Sequence, residues 1–278
     1  MKLATFSKQK AAVATAPLRW LATCGIGLFV AATTHSTLPA QPIPVANPSF
    51  ESQVVFPFIF PVDFRIDAWQ KAPKPGYFTD TPELGWDQTV GLFNGTLQNP
   101  YSNLAGNQAA YLLSLPGAGI FQDNQSTDWN NSVSGLNATY QIGKSYQLTL
   151  GVFGKALVEN FSTLQLNLYY RDGANQITVG TPTTITFDAT TFNPGGPFTL
   201  IDYSVITPIV QAGDAWAGQN IGIRIDSVFG TGAGYWDLDN VRLTAVPEPT
   251  ALSLLAVGIS ALGLRRTHAR FQRQSLSA

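Results

Sequence analysis

The chain has 278 residues, 16 Lys and Arg against 17 Asp and Glu, a formal net charge of −1 and 12% charged residues. Low charge combined with 12% aromatic residues excludes a disordered chain, which needs high net charge and little to bury. A single cysteine excludes an intrachain disulfide framework and a cysteine-rich zinc cluster.

The N-terminal segment carries Lys2, Lys8, Lys10 and Arg19, with no acidic residue before Glu51. An apolar run from Trp20 to Ala32 follows, and then the small-residue exit Leu38-Pro39-Ala40. Basic head, apolar middle and small exit predict a secretory signal peptide over 1–40. The run is shorter than the ~20 residues a membrane-spanning helix needs.

From residue 41 the chain reads as β. Residues 70–105 hold Pro73, Pro75, Gly76, Pro82, Gly85, Gly91, Gly95 and Pro100, and are expected to be long loops carrying Tyr77, Phe78, Trp86, Phe93 and Tyr101. Residues 146–152 alternate apolar and polar after the Gly143-Lys144 turn. Residues 164–170 put Leu164, Leu166 and Leu168 on one face and end at the turn Arg171-Asp172-Gly173. Short strands are expected at 177–179 and 183–187, and alternating ones at 221–225 and 235–243. No long apolar period of 3.6 residues interrupts them, so a single all-β sandwich, a jelly roll, is expected over 41–246.

The C-terminus reads Val246-Pro247-Glu248-Pro249-Thr250, then the uncharged run Ala251 to Leu264, then Arg265-Arg266 with further basic residues. A short transmembrane helix is expected over 251–264, with the arginines on the cytoplasmic side. Setting both ends aside leaves eight basic and sixteen acidic residues in 41–246, a net charge of −8. That disfavours nucleic acid as a partner. The same middle has no His, Cys or Met. Ser-His-Asp and Cys-His catalysis, His- or Cys-ligated zinc and haem ligation are therefore excluded there. Carboxylate chemistry, oxygen-ligated calcium and recognition by aromatic faces remain.

Two resemblances follow. Pro247, Glu248 and Pro249, the apolar run and Arg265-Arg266 resemble the PEP-CTERM sorting signal (247–278) of exported Gram-negative proteins. It implies processing by an exosortase, a transient inner-membrane stage and delivery to the cell surface or an exopolysaccharide-rich matrix. The middle resembles galactose-binding-like jelly rolls of the carbohydrate-binding-module kind. The residues that carry this are Asn47-Pro48-Ser49-Phe50-Glu51, Asp67-Ala68-Trp69, the strand pair at 106–112 and 119–122, Ile142 to Thr149, and the closing Asp239-Asn240-Val241-Arg242-Leu243. That resemblance implies a structural Ca2+ near Glu51 and Asp239, tying the first strand to the last.

The function expected from these features is non-catalytic binding of a polysaccharide. Candidate sugar platforms are Trp86, Trp129, Tyr101 and Trp69, with Trp216 behind them and Asn94, Asp123 and Asn124 as polar neighbours. A structural or adhesive matrix protein is the alternative. A glycosidase using two carboxylates stays open, because it needs no histidine.

Overall fold

The computed structural model describes residues 40–52, 54–55, 62–95, 101–128, 130–155, 157–192 and 198–247. The expected signal peptide before Ala40, Trp129, Glu248, Pro249, the 251–264 run and Arg265-Arg266 lie outside the described residues. Pro247 is described and ends the last strand.

The expected all-β sandwich is present, built from two antiparallel sheets. The first sheet contains β1 (Gln41–Ile43), β2 (Val62–Asp63), β4 (Val90–Asn94), β5 (Gln108–Leu113), β7 (Lys144–Gly154), β11 (Ile201–Ile206) and β13 (Tyr235–Pro247). Its order is β11-β7-β13-β5-β4-β2, with β1 also on β13. The second sheet contains β3 (Gln70–Lys71), β6 (Gly119–Gln122), β8 (Thr163–Asp172), β9 (Asn175–Thr178), β10 (Thr183–Thr186) and β12 (Gly222–Phe229). Its order is β10-β8-β12-β6-β3, with β9 on β8. One short helix, α1 (Ala189–Phe192), follows β10.

Strand alternation explains the core. In β8, Leu164, Leu166 and Leu168 are fully buried, and Ile223 and Ile225 of β12 are opposite Leu168 and Leu166 in register. The first sheet supplies Leu148, Leu150 and Val152 of β7 and Trp236 and Leu238 of β13, also fully buried. Period-two alternation sends one face of each strand inward and leaves the intervening positions for the outer face. Asp237 and Asp239 therefore alternate with the core positions Trp236 and Leu238.

Three expectations need correction. The stretch 70–105 is not all loop, because β4 runs through it, fully paired with β5. β11 pairs along its whole length with β7 although its alternation was not singled out. The segments 106–112 and 119–122 do form strands, but not with each other. β5 joins β13 and β4, while β6 joins β12 and β3 in the opposite sheet. The connection Ser114 to Ala118 carries the chain from one layer to the other, so sequence adjacency is no guide to pairing here.

The opening segment does meet the closing strand. The Val241 N–H donates to the Pro48 carbonyl at 2.8 Å. Phe50 is fully buried and lies 5.7 Å from the Trp69 ring. A β-bulge interrupts β13 between Asp239 and Arg242, with Asn240 at φ 57. Bulges of this kind re-aim side chains, and here the bulge follows directly on Asp239.

Candidate active site

Where β7 leaves the sheet, a cavity of about 550 Å3 opens. That is within the usual size of small-molecule sites. Its wall is aromatic: Phe153 from β7, Phe187 and Phe192 around α1, and Phe198 beyond it. Phe187 and Phe192 stack at 5.5 Å with rings 7° apart, and both present edges to Trp236 at 6.1 and 5.9 Å. Gly154 makes this possible, because a Cβ there would collide with the Phe187 ring. Leu157, Val158, Glu159 and Asn160 of the β7–β8 connection complete the rim.

One layer behind this wall lies a buried carboxyl. Asp237 is opposite Phe153 in register, so the two side chains share the outer face of the first sheet. Tyr101 donates its hydroxyl hydrogen bond to Asp237 Oδ2. The Tyr101 ring packs edge-on to Phe153 at 5.5 Å and tilted on Phe198 at 5.8 Å. Tyr101 therefore joins the carboxyl to two of the four aromatic walls. Burial pushes the Asp237 pKa up to about 7, against the Tyr101 hydrogen bond and the charge of Lys155, which pull it down. Burial also raises the Tyr101 pKa, and the neighbouring carboxylate adds to it. No Arg or Lys makes an ion pair with Asp237 among the described residues. A carboxyl that titrates near neutrality holds a transferable proton at working pH.

Two residues away on the same face, Asp239 and Glu51 flank the chain at 105–108. Glu51 Oε1 accepts the N–H groups of Asn107 and Gln108 at 2.7 and 2.6 Å. Asp239 Oδ2 accepts the Ala105 N–H at 2.6 Å, while its Oδ1 is buried without a hydrogen-bond partner. Gly106, at φ +129, lies so close to the Glu51 carboxylate that a Cβ has no room. Burial pushes Asp239 up to about 6; the Ala105 and Asn240 N–H groups and Arg242 oppose this, and the charge of Glu51 reinforces it. Two carboxylates and an orphaned oxygen are a donor set suited to a hard cation. No group of three or more His, Cys, Asp or Glu placed to hold a metal exists among the described residues.

The sequence-derived sugar platforms have other surroundings. Trp69 is buried and donates its indole N–H to the Asn47 carbonyl at 3.1 Å. Trp86 is buried, donates to the Ala72 carbonyl at 2.8 Å and meets Phe78 edge-on at 5.0 Å. Trp216 packs edge-on to Tyr140 at 5.0 Å. Tyr101 belongs to the carboxyl site described above. Asp123 is a buried partner of Tyr169 and Arg171 on the other sheet. Asn94 ends β4, and Asn124 lies in the turn after β6. Asp237 had no place among the candidates. Its signal, an acid in an otherwise well-patterned strand, was visible only as part of the closing-strand motif.

Comparison with solved structures finds the same fold in two cyclase structures. A Stig cyclase, Fisc, from Fischerella sp. TAU, in complex with (3Z)-3-(1-methyl-2-pyrrolidinylidene)-3H-indole, matches at 21% identity and a TM-score of 0.51, over 75% of this chain and 99% of its own. A further structure of a cyclase from the same organism matches at 21% identity and TM-score 0.51, over 75% and 98%. A xylan-binding domain from Paenibacillus barcinonensis matches at 11% identity over 65% of this chain and 87% of its own, but its TM-score of 0.35 is too low to argue from. Among curated proteins no match is found.

The HpiC1-like family model, described as HpiC1 cyclase, covers residues 41–244. This match overturns the expected non-catalytic, polysaccharide-binding matrix protein and the structural or adhesive alternative with it. The exosortase as partner, the polysaccharide ligand and the biofilm setting fall at the same point, since the matches are to cyclases, one of them holding a small indole-type ligand. The physical reason for the error is that Trp69 and Trp86, read as sugar platforms, are packed inside, and Tyr101 gives its hydroxyl to a carboxyl that only the folded chain brings beside it. From residue 41 to residue 244, the chain belongs to the HpiC1-like cyclase family.

Proposed function

We propose that this protein is a cyclase that closes a ring within an apolar, indole-type substrate, with Asp237 as the donor of the initiating proton. The observation that carries the reading is the buried Asp237 carboxyl, held by a tyrosine hydroxyl instead of a cation, behind an aromatic cavity. The similar Fischerella cyclase holds an indole-type ligand, and indole fits flat aromatic walls such as Phe153 and Phe198.

The chemistry needs no redox step. The Asp237 acid transfers its proton to the unsaturated substrate and becomes a carboxylate, and the substrate becomes a cation. A carbon–carbon bond then forms within that cation at the expense of a π bond. Loss of a proton back to Asp237 gives a ring-closed isomer of unchanged mass. Four phenylalanine rings around the cavity stabilise the transient positive charge through their π faces and keep out water that would trap it. Tyr101 fixes the carboxyl orientation and couples it to Phe153 and Phe198. The test is incubation of the full chain and of Asp237→Asn with indoles that carry alkenyl side chains. The expected product has the substrate's mass, a new ring, and is formed by the parent only. No isomer from any member of the series, or full turnover by Asp237→Asn, overturns the reading.

The same reading includes a structural Ca2+ at Glu51 and Asp239. Calcium takes six to eight oxygen ligands, so backbone carbonyl and water oxygens complete the shell around the two carboxylates. The orphaned Asp239 Oδ1 supports it. When bound, the ion supplies positive charge that ties the opening segment to β13. Calcium is expected to raise the thermal midpoint of the parent and not that of Glu51→Ala; a parent indifferent to calcium refutes the site. The basic and apolar N-terminal segment supports export, with an inner-membrane intermediate. A full-length precursor found intact in the cytoplasm overturns that part alone.

A further inference from the structure

The cavity is not neutral in its preferences. Among the described residues that line it, Glu159 alone is charged, and Asn160 beside it is the other polar one. The opposite wall is Phe153, Phe187, Phe192 and Phe198, whose faces carry partial negative charge. The nearest lysine, Lys155, is drawn elsewhere: its ammonium lies 5.4 Å from the centre of the Phe93 ring and its charge acts on Asp237. Asp188, the neighbour in sequence of the lining residue Ala189, has its pKa held below the ordinary value by hydrogen bonds from Thr190 and Thr191. The domain as a whole adds a net charge of −8, which raises the local concentration of cations.

Glu159 is an exposed residue of the cavity lining, carried by the β7–β8 connection. The Val158 N–H donates to the Lys155 carbonyl at 3.1 Å, and the Ser162 N–H donates to the Glu159 carbonyl at 3.0 Å, so two successive turns hold the connection. Leu157 and Phe161, on either side, have φ of 82 and 73. Non-glycine residues in that left-handed region are strained, and they persist where the surroundings impose the shape. The outcome is an exposed carboxylate in the lining of a cavity whose walls are largely aromatic.

We propose that this cavity selects a substrate bearing a positively charged nitrogen at the end that faces the β7–β8 connection, and that Glu159 sets the preference. The inference rests on the cyclase reading of the cavity and adds the charge of what enters it. The neutral aromatic body lies along Phe153 and Phe198, and the charged nitrogen lies against Glu159, where water still reaches it. Apolar walls with one carboxylate at the rim are an economical arrangement for an amphiphilic cation.

The test uses two indoles of matched size, tryptamine, which is cationic at neutral pH, and 3-propylindole, which is neutral. Their affinities for the full chain are measured by titration calorimetry. The expected result is a preference for tryptamine of about threefold to tenfold, the size of a partly exposed charge contact, which shrinks at high salt. In Glu159→Gln the preference disappears while the affinity for 3-propylindole is unchanged. Leu157→Trp, a change at an exposed lining position, weakens both ligands and places them in the cavity. Equal affinity of the two indoles for the parent, or a preference that survives Glu159→Gln, overturns the inference and leaves the cavity as the binding site. Failure of both ligands to bind, or indifference to Leu157→Trp, counts against the cavity reading and the inference together.

Discussion

Each sheet buries aspartates on the face turned away from the core, and the two sheets treat them differently. On the second sheet Asp123 accepts Arg171 Nε at 2.6 Å and the Tyr169 hydroxyl at 2.5 Å. On the same sheet Asp226 is paired with Arg224 at 2.7 Å, and Arg224 also reaches Gln176 at 3.3 Å. On the first sheet Asp237 has a tyrosine, and Asp239 has an oxygen with no partner. A guanidinium opposes the desolvation of Asp226, although burial still raises its pKa. Asp237 has a hydroxyl for its hydrogen-bond partner, and burial raises it to about 7. The molecule thus separates carboxyls with a guanidinium partner from carboxyls without one, and the aromatic cavity opens beside the second set.

The largest effect that can break this comparison is on turnover. Asp237→Asn is expected to lower cyclisation by roughly 100- to 10,000-fold, the usual worth of a positioned acid, with little loss of stability. Asp123→Asn is expected to do the reverse. It leaves the partly buried Arg171 and the Tyr169 hydroxyl without their anion, which costs about 1–3 kcal/mol, and the cavity chemistry survives. Thermal melts and product assays on the two variants check the pair, and equal loss of turnover in both erases the distinction.

A smaller effect is pH dependence. Asp237 titrates near 7 in the fold against about 3.8 for the ordinary side chain. The folded state therefore binds more protons than the unfolded one between those values. The stability tied to this group is complete below about pH 4 and is lost as pH rises through about 7. In protein stripped of divalent ions, Asp237→Asn is expected to flatten that decline by of order 1–3 kcal/mol. Turnover falls on the same side, since only the protonated acid donates. A turnover rate that rises through pH 7 contradicts the assignment.

Tyr101→Phe gives a subtler test. The Tyr101 hydrogen bond pulls the Asp237 pKa down, so its removal is expected to move the alkaline limb of the rate profile to higher pH. The rate itself is expected to fall by about tenfold or less, because one hydrogen bond is worth about 1 kcal/mol. An unmoved limb would show that Tyr101 packs the wall without acting on the acid. The smallest effect is the calcium-linked melting shift that Glu51→Ala abolishes.

Much of the fold was legible because alternation is local. Leu164, Leu166 and Leu168 announce a strand and its inner face without reference to any other residue. β4 and β11 were not recognised. Val90-Gly91-Leu92-Phe93-Asn94 is masked by the surrounding prolines and glycines, and its identity as a strand comes from its partner β5. Glu51 and Asp239 were placed together by family resemblance, and the fold brings both to the 105–108 segment. Tyr101 was read as a platform for sugars, because nothing near it in sequence indicates that Asp237, 136 positions later, takes its hydroxyl.

By itself the sequence determined the inventory. It has an acidic β domain between two basic, apolar ends, and no histidine or cysteine within that domain, so carboxylates are left to do any chemistry. Which of sixteen acids does it was decided only by the tertiary structure. Ionisation in a protein depends on desolvation and on the nearest charges, and both are set by residues far along the chain. Asp226 has its arginine two residues away on its own strand. Asp237 has no such neighbour; it lies beneath Tyr101, 136 positions earlier, and a wall of phenylalanines.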